Sequence, residues 1–296
     1  MRRFTSLVAC VALAGAGVVT IAASANANTT TSSGAGAVKT SPYVALGDSY
    51  SSGAGVLPLV PGSPPACSRS TRNFAEVIAA QTQPAVFTDA TCSGATTADY
   101  YSSQSAGVPP QLDAVTSDTR LVTMTIGGND EGVFVNSFFG CATTDAGQVY
   151  GNPCQQKYGT TFTDLITTET YPHLVSALSA VRAKAPQATV TILGYPQILP
   201  PVGDPTCFPF MPISMGDVPW LVNEQQVLND AVRRAAAATG ARYVDTFTPS
   251  AGHDACAGPL NRWLEPAVGF VNALPVHPNA VGEAAMAHEA LTALGR

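Results

Sequence analysis

The chain carries little charge. Only 11% of its 296 residues are Asp, Glu, Lys or Arg, and the formal net charge is −6. Its 14 basic residues form no cluster along the chain. Because binding to nucleic acid depends on neutralising phosphates with Lys and Arg, we expect no nucleic-acid partner.

Several motifs that would assign a chemistry are also missing. No Cys-x-x-Cys or His-x-x-x-His spacing occurs, so the sequence predicts no metal site, and we expect no cofactor. No Gly-x-Ser-x-Gly occurs either, which excludes the nucleophile elbow typical of α/β-hydrolases. No internal repeat is visible.

The N-terminus has the pattern of an export signal. Arg2 and Arg3 precede an apolar stretch over residues 4–23, and Ala-Asn-Ala at 25–27 has the form of a cleavage site. The apolar stretch is interrupted by Gly and Thr and has no basic stop after it, which argues against a membrane anchor. We therefore expect a signal peptide over 1–27 and a secreted, extracellular protein.

The segment after the signal is rich in Thr, Ser, Gly and Ala. Residues 28–40 lack an apolar pattern, so they predict a flexible tail. The remaining residues 41–296 fit one domain. Removing the signal leaves 12 of the 14 basic residues against 20 acidic ones, a net charge of −8.

Six cysteines remain after the signal is removed. An even number in an exported chain favours three disulfides, although six cysteines allow fifteen pairings. These cysteines are Cys67, Cys92, Cys141, Cys154, Cys207 and Cys256.

Apolar runs alternate with segments of helical periodicity, which predicts a mostly parallel sheet covered on both faces. Strands are predicted over 43–46, 85–91, 121–126, 189–193 and 242–244. Helices are predicted over 74–81, 164–184, 218–239 and 279–294. Two loops, 53–67 and 194–219, are dense in Pro and Gly. The second is also apolar, so it forms either a substrate wall or irregular packing.

Ser49 follows the first predicted strand in the run Gly-Asp-Ser, at the end of the strand where α/β folds place their chemistry. A hydroxyl nucleophile needs a base within hydrogen-bond reach. His277 is the best local candidate because Pro278 and a helix start follow it. His253, in a loop, is second.

A developing oxyanion needs hydrogen-bond donors, and two Gly-rich turns after predicted strands can supply them. Gly94 permits an exposed backbone amide, and Asn129 offers a neutral side-chain amide. The order along the chain is therefore nucleophile, two donor turns, and then a base near the end.

That order resembles the GDSL, or SGNH, hydrolases, and in particular the secreted actinobacterial lipases and esterases with three disulfides. The resemblance spans residues 42–294, with Tyr50 where the eponymous Leu stands. Four blocks carry it: Gly-Asp-Ser-Tyr-Ser-Ser-Gly at 47–53, Cys-Ser-Gly-Ala-Thr at 92–96, Gly-Gly-Asn-Asp at 127–130 and His-Pro-Asn-Ala-Val-Gly at 277–282.

The resemblance implies a single-domain, flavodoxin-like α/β/α sandwich with a five-stranded sheet. It implies a carboxylester hydrolase in which Ser49 is the nucleophile and His277 the general base. The amides of Ser49 and Gly94 and the side chain of Asn129 would form the oxyanion hole. It also implies the disulfides Cys67–Cys92, Cys141–Cys154 and Cys207–Cys256.

One position departs from the family pattern. Many members carry Asp three residues before the base, and this chain has Leu274 there. We infer that the backbone carbonyl of Leu274 or Pro275 orients the imidazole instead. Three distant carboxylates remain as alternatives: Asp245, Asp254 and Glu265.

Other functions remain open at this point. A carbohydrate acetylesterase would use the same Ser and His in a polar groove, whereas the apolar loop over 194–219 favours lipid or small acyl esters. A non-catalytic binding module would explain the export signal and the disulfides but not the four blocks. We expect a monomer, because nothing in the sequence indicates assembly.

Overall fold

The computed structural model describes residues 41–296. The predicted signal peptide over 1–27 and the predicted tail over 28–40 lie outside the described residues. Among the helices that are described, none is long and apolar enough to cross a membrane.

Five parallel strands form one sheet in the order β2-β1-β3-β4-β5. Each strand lies within a predicted one. Three are shorter than predicted, because apolar residues continue into the loops beyond the paired segments. The strands are β1 (Tyr43–Ala45), β2 (Phe87–Asp89), β3 (Leu121–Met124), β4 (Thr189–Leu193) and β5 (Arg242–Val244).

Helices cover both faces of this sheet, which gives the three-layer α/β/α sandwich. The α-helices are α1 (Ser49–Ser52), α2 (Phe74–Thr82), α3 (Gly140–Thr144), α4 (Pro153–Tyr158), α5 (Thr161–Leu165), α6 (Tyr171–Lys184), α7 (Val218–Thr239) and α8 (Ala280–Ala293). Short 3₁₀ helices lie at Pro65–Cys67, Thr97–Tyr100, Gln111–Ala114 and Asp130–Gly132, and π-helical turns at Val135–Phe139 and Ile166–Thr170.

The helices pack in pairs. α2 lies against α8 on one face, and α6 lies against α7 on the other. All four residues of β3 are buried, as expected for a central strand covered on both faces. The core therefore lies on both sides of β1, β3 and β4.

The segment predicted as a helix over 164–184 is helical throughout, but it begins at Thr161 and is not α-helical along its whole length. The segment divides into α5, a π-helical turn over Ile166–Thr170, and α6. Pro172 stands in the first turn of α6, where its missing backbone N–H is tolerated, whereas inside a helix it would remove a hydrogen bond.

Three disulfides join Cys67 to Cys92, Cys141 to Cys154, and Cys207 to Cys256, the pairs that the resemblance implies. The first ties the loop after α1 to the turn that bears Gly94. The third ties the apolar loop over 194–219 to the segment that precedes His277.

Candidate active site

The site lies at the carboxyl ends of β1 and β3. These strands are neighbours in the sheet, but the connection from β1 leads outward to β2 while the connection from β3 leads the other way to β4. At such a switch point the two loops diverge and leave a crevice, where open α/β sheets bind their ligands. Ser49 follows β1, and Asn129 follows β3.

The backbone conformation at Gly47 positions Ser49. Gly47 has φ of +120°, and a Cβ there would lie 2.3 Å from the carbonyl oxygen of Thr125, so no other residue fits without a shift. The side chain of Gln111 accepts from the Gly47 amide at 2.6 Å and donates to its carbonyl at 2.9 Å. Ser49, only 6% exposed, then begins α1 directly after this clamped turn.

His277 reaches Ser49 from the loop before α8. Its Nε2 lies 2.7 Å from Ser49 Oγ, and its Nδ1 lies 2.7 Å from the carbonyl oxygen of Pro275. A carbonyl only accepts, so Nδ1 carries the proton and Nε2 is free to accept the Ser49 hydroxyl proton. Of the two carbonyls considered from sequence, Pro275 faces the ring, while Leu274 accepts the backbone N–H of His277 at 3.2 Å.

The loop that carries His277 is held by distant groups. Val276 has φ of +62°, a left-handed conformation that a β-branched residue adopts only under constraint. The hydroxyl of Tyr50 donates to the Val276 carbonyl at 2.6 Å, and Glu265 exchanges backbone hydrogen bonds with Val276 and His277. The ring of Phe134 stands edge-on to the imidazole.

Burial makes His277 a neutral base. The ring is 7% exposed, and desolvation of the imidazolium lowers its pKa from 6.5 to about 4, with the Pro275 carbonyl opposing this shift. At neutral pH the imidazole is therefore unprotonated and able to accept a proton.

The two predicted donor turns lie beside each other. Gly94 is exposed with φ of +76°, and Asn129 lines the pocket next to Ser49. One Asn129 Nδ2 proton goes to the carbonyl of Ala95 at 3.0 Å, which leaves the other for a ligand. Asp130 joins the turns through the amide and hydroxyl of Thr97, at 2.9 and 2.6 Å.

Asp48 is engaged on the side away from His277. Its carboxylate accepts from the Tyr50 amide, which caps α1, and from the hydroxyls of Thr125 and Tyr195 at 2.7 and 2.5 Å. Burial raises its pKa to about 6. Tyr195 also accepts the Gly128 amide at 2.9 Å, so it connects the Asp48 turn with the Asn129 turn.

The remaining histidines hydrogen-bond elsewhere or face solvent. His253 Nδ1 lies 2.6 Å from the carbonyl of Asn261, and its ring stacks on Trp263. His173 lies beside Asp130 at 3.9 Å, and His288 is exposed on α8.

The distant carboxylates also have other partners. Glu265 binds Arg262 at 2.7 Å and the Val271 amide at 3.0 Å. Asp254 accepts from the Cys256 amide, and Asp245 from the backbone that follows it. Within residues 41–296, none of the three carboxylates hydrogen-bonds to the imidazole of His277, whose ring nitrogens contact Pro275 and Ser49.

A largely apolar pocket opens beside Ser49. The apolar loop over 194–219 contributes only Tyr195 and Ile198 to the lining; its Leu199, Met211 and Ile213 are buried in the core. Sequence reasoning missed the rest of the wall, which comes from the turn after Asn129 and from α7: Val133, Phe134, Phe138, Glu224, Gln225 and Leu228.

Comparison with known proteins points to the same chemistry. The model of the GDSL-like Lipase/Acylhydrolase family matches residues 45–285. Lipase 2 of Streptomyces coelicolor is 52% identical over 262 residues, covering 88% of each chain.

Two solved structures are similar to this chain at a TM-score of 0.70. In each case the aligned region covers 86% of this chain and 98% of the chain in the solved structure. They are phospholipase A1 from Streptomyces albidoflavus NA297, 32% identical, and an extracellular lipase from Streptomyces rimosus, 31% identical. The chain is a carboxylic ester hydrolase that belongs to the GDSL-like lipase/acylhydrolase family.

Proposed function

We propose that the protein is a secreted lipase that cleaves acyl esters of lipids through an acyl-enzyme on Ser49. The observation that carries this proposal is the 2.7 Å contact between Ser49 Oγ and His277 Nε2, with His277 neutral and its other nitrogen bound to the Pro275 carbonyl.

Two half-reactions follow from this geometry. His277 Nε2 takes the Ser49 proton as Oγ attacks the ester carbonyl, and the tetrahedral oxyanion accepts hydrogen bonds from the amides of Ser49 and Gly94 and from Asn129. The imidazolium then gives its proton to the leaving alkoxide. In the second half, a water molecule gives a proton to His277 and attacks the acyl carbon, which releases the carboxylic acid and restores Ser49.

The Pro275 carbonyl replaces the carboxylate that many relatives place beside the base. It holds the same tautomer, but it carries no full charge and stabilises the imidazolium less. The lowered pKa of His277 agrees with this arrangement. We therefore propose a Ser–His dyad in place of a triad.

The surroundings of Ser49 favour an apolar acyl group. The side chains of Phe134, Phe138, Ile198 and Leu228 line the pocket, where a carbohydrate acetylesterase would need polar groups for a sugar. A second cleft is bordered by exposed apolar side chains, which suits contact with a lipid surface. These are Leu57, Leu260, Val271 and Val281.

The N-terminal residues have the pattern of an export signal. We propose that residues 1–27 form a cleaved signal, that 28–40 form a tail, and that 41–296 form the hydrolase domain. Three disulfides support an oxidising destination. Protein recovered from the culture medium should begin at Asn28.

Substitution of the dyad tests the mechanism. Ser49→Ala and His277→Ala should each lower kcat for p-nitrophenyl octanoate by about 10⁴-fold or more. A fluorophosphonate probe should label the wild type but not Ser49→Ala. The control is Ser179→Ala, which removes an exposed hydroxyl from α6 and should change neither measurement.

Substantial turnover by folded Ser49→Ala would contradict the proposal. Comparing octanoate esters, phospholipid micelles, triacylglycerol emulsions and acetylated xylan as substrates separates the substrate classes, and preference for acetylated xylan would favour the acetylesterase.

A further inference from the structure

Glu224 places a carboxyl group in the wall of the pocket beside Ser49. It lies on α7, one turn before Leu228, and is 3% exposed. Acidic side chains are almost never this deeply buried without a partner. The proposed mechanism has no use for this residue.

The carboxyl has hydrogen-bonding capacity that the protein leaves unused. No group among residues 41–296 hydrogen-bonds to its Oε2, which is shielded from solvent. Burial raises the pKa of Glu224 to about 8. A hydrogen bond with the Ser137 hydroxyl favours the charged carboxylate and opposes this rise, but its effect is smaller. The group is therefore largely a neutral acid at pH 7, able both to donate and to accept a hydrogen bond.

The other polar groups of the pocket are already engaged. Gln225 donates to the Pro196 carbonyl at 2.6 Å and accepts from the Ile198 amide at 3.2 Å. Tyr195 is bound to Asp48. Apart from Asn129, whose free proton we assign to the oxyanion, Glu224 is the pocket side chain whose polar atom lacks a partner within the described residues.

We propose that Glu224 is a specificity-determining residue that hydrogen-bonds a neutral hydroxyl or ester oxygen on the part of the substrate that enters this pocket. The inference rests on the proposed function of Ser49, whose substrate would fill the same pocket. A neutral oxygen fits because the rest of the wall is apolar, and a charged group there would lose its hydration without a counter-ion.

Such an oxygen has two sources in a lipid ester. It can be a hydroxyl on the acyl chain, or a hydroxyl or ester oxygen on the glyceryl part. Two substrate pairs distinguish them: p-nitrophenyl esters of octanoic acid and of its hydroxylated derivatives, and the ethyl and glyceryl esters of octanoic acid.

The test compares Glu224→Gln, which keeps a donor and an acceptor, with Glu224→Met, which keeps length but not polarity. The control is Gln226→Met, which removes a polar side chain at an exposed position of α7 outside this pocket. In the wild type, kcat/KM should favour the oxygen-bearing member of one pair. Glu224→Met should reduce that preference about 10-fold, as loss of one hydrogen bond predicts, while turnover of plain p-nitrophenyl octanoate holds or rises.

Glu224→Gln and Gln226→Met should retain the preference, and the pair that responds identifies the source of the oxygen. The proposal is overturned if the wild type prefers neither oxygen-bearing substrate, or if Glu224→Met lowers kcat/KM equally for both members of each pair. Plain octanoate turnover that persists in Ser49→Ala would instead refute the proposed function itself.

Discussion

The proposed nucleophile, Ser49, and the proposed base, His277, are held in different ways. Ser49, Gly94 and Asn129 each follow a parallel strand closely, and the core fixes them through the sheet. His277 follows no strand; it lies on a loop before α8, with strained Val276 before it. The comparison indicates that the sheet places the residues of the strand side, whereas hydrogen bonds from other segments alone place the base.

Apart from the changes at Ser49 and His277 themselves, Asn129→Ala on the strand side should have the largest effect. Losing its side-chain amide should lower kcat by about 10²–10³-fold if that amide stabilises the oxyanion. Its side chain also holds Ala95, so melting should be measured alongside the rates. The exposed Asn261→Ala is the matched control, and an Asn129→Ala enzyme with wild-type kcat would remove Asn129 from the oxyanion hole.

On the base side, Tyr50→Phe should lower kcat about 10-fold. The hydroxyl of Tyr50 binds the buried carbonyl of Val276, and its loss leaves that carbonyl unpaired, at a cost of about 1–3 kcal/mol of stability. The looser loop should misplace His277 while KM changes little. Tyr195→Phe is the comparison on the strand side, since its hydroxyl supports Asp48 and Gly128.

Comparing kcat and stability in the Tyr50→Phe and Tyr195→Phe variants tests whether the base side and the strand side of the site are held differently. We expect Tyr195→Phe to lower the free energy of unfolding with a smaller loss of kcat than Tyr50→Phe. Equal losses of kcat in the two variants, measured with stability by denaturant titration, would mean that both sides depend on long-range contacts alike.

Leu274→Ala should have the smallest effect. The backbone carbonyls of the loop survive the change, so kcat should stay within about 3-fold of the wild type. The acid limb of kcat/KM should also be unchanged. Because burial lowers the pKa of His277 to about 4, the base is protonated and inactive only below that pH, and activity should rise as pH increases through it.

The measurement is kcat/KM from pH 3 to 8 for both proteins, with melting followed at each pH. If kcat/KM of the wild type instead rises with pH at a midpoint near 6.5, the ordinary pKa of histidine, His277 is less desolvated than the structure indicates. Collapse of activity in folded Leu274→Ala would show that its side chain supports the base.

The fold and much of the site could be predicted from sequence. All five strands and the helix over 218–239 follow from hydrophobic periodicity, because a parallel sheet covered on both faces needs continuous apolar runs. The four blocks point to Ser49, Gly94 and Asn129 because these residues follow predicted strands, and to His277 because Pro278 and a helix start follow it. The π-helical turn at Ile166–Thr170 was not predictable from periodicity alone, because α and π turns bury similar faces.

The amino-acid sequence by itself determined the family, the sheet, and the identity of the nucleophile and base candidates, since these depend on short runs of residues. Only the tertiary structure decided that the Pro275 carbonyl faces His277 Nδ1, that the Tyr50 hydroxyl binds the Val276 carbonyl, and that Glu224 lies in the pocket. The physical reason is that each of these three features is a distance between particular atoms. Backbone torsion and the packing of remote elements set that distance, and no local pattern of residue types specifies it.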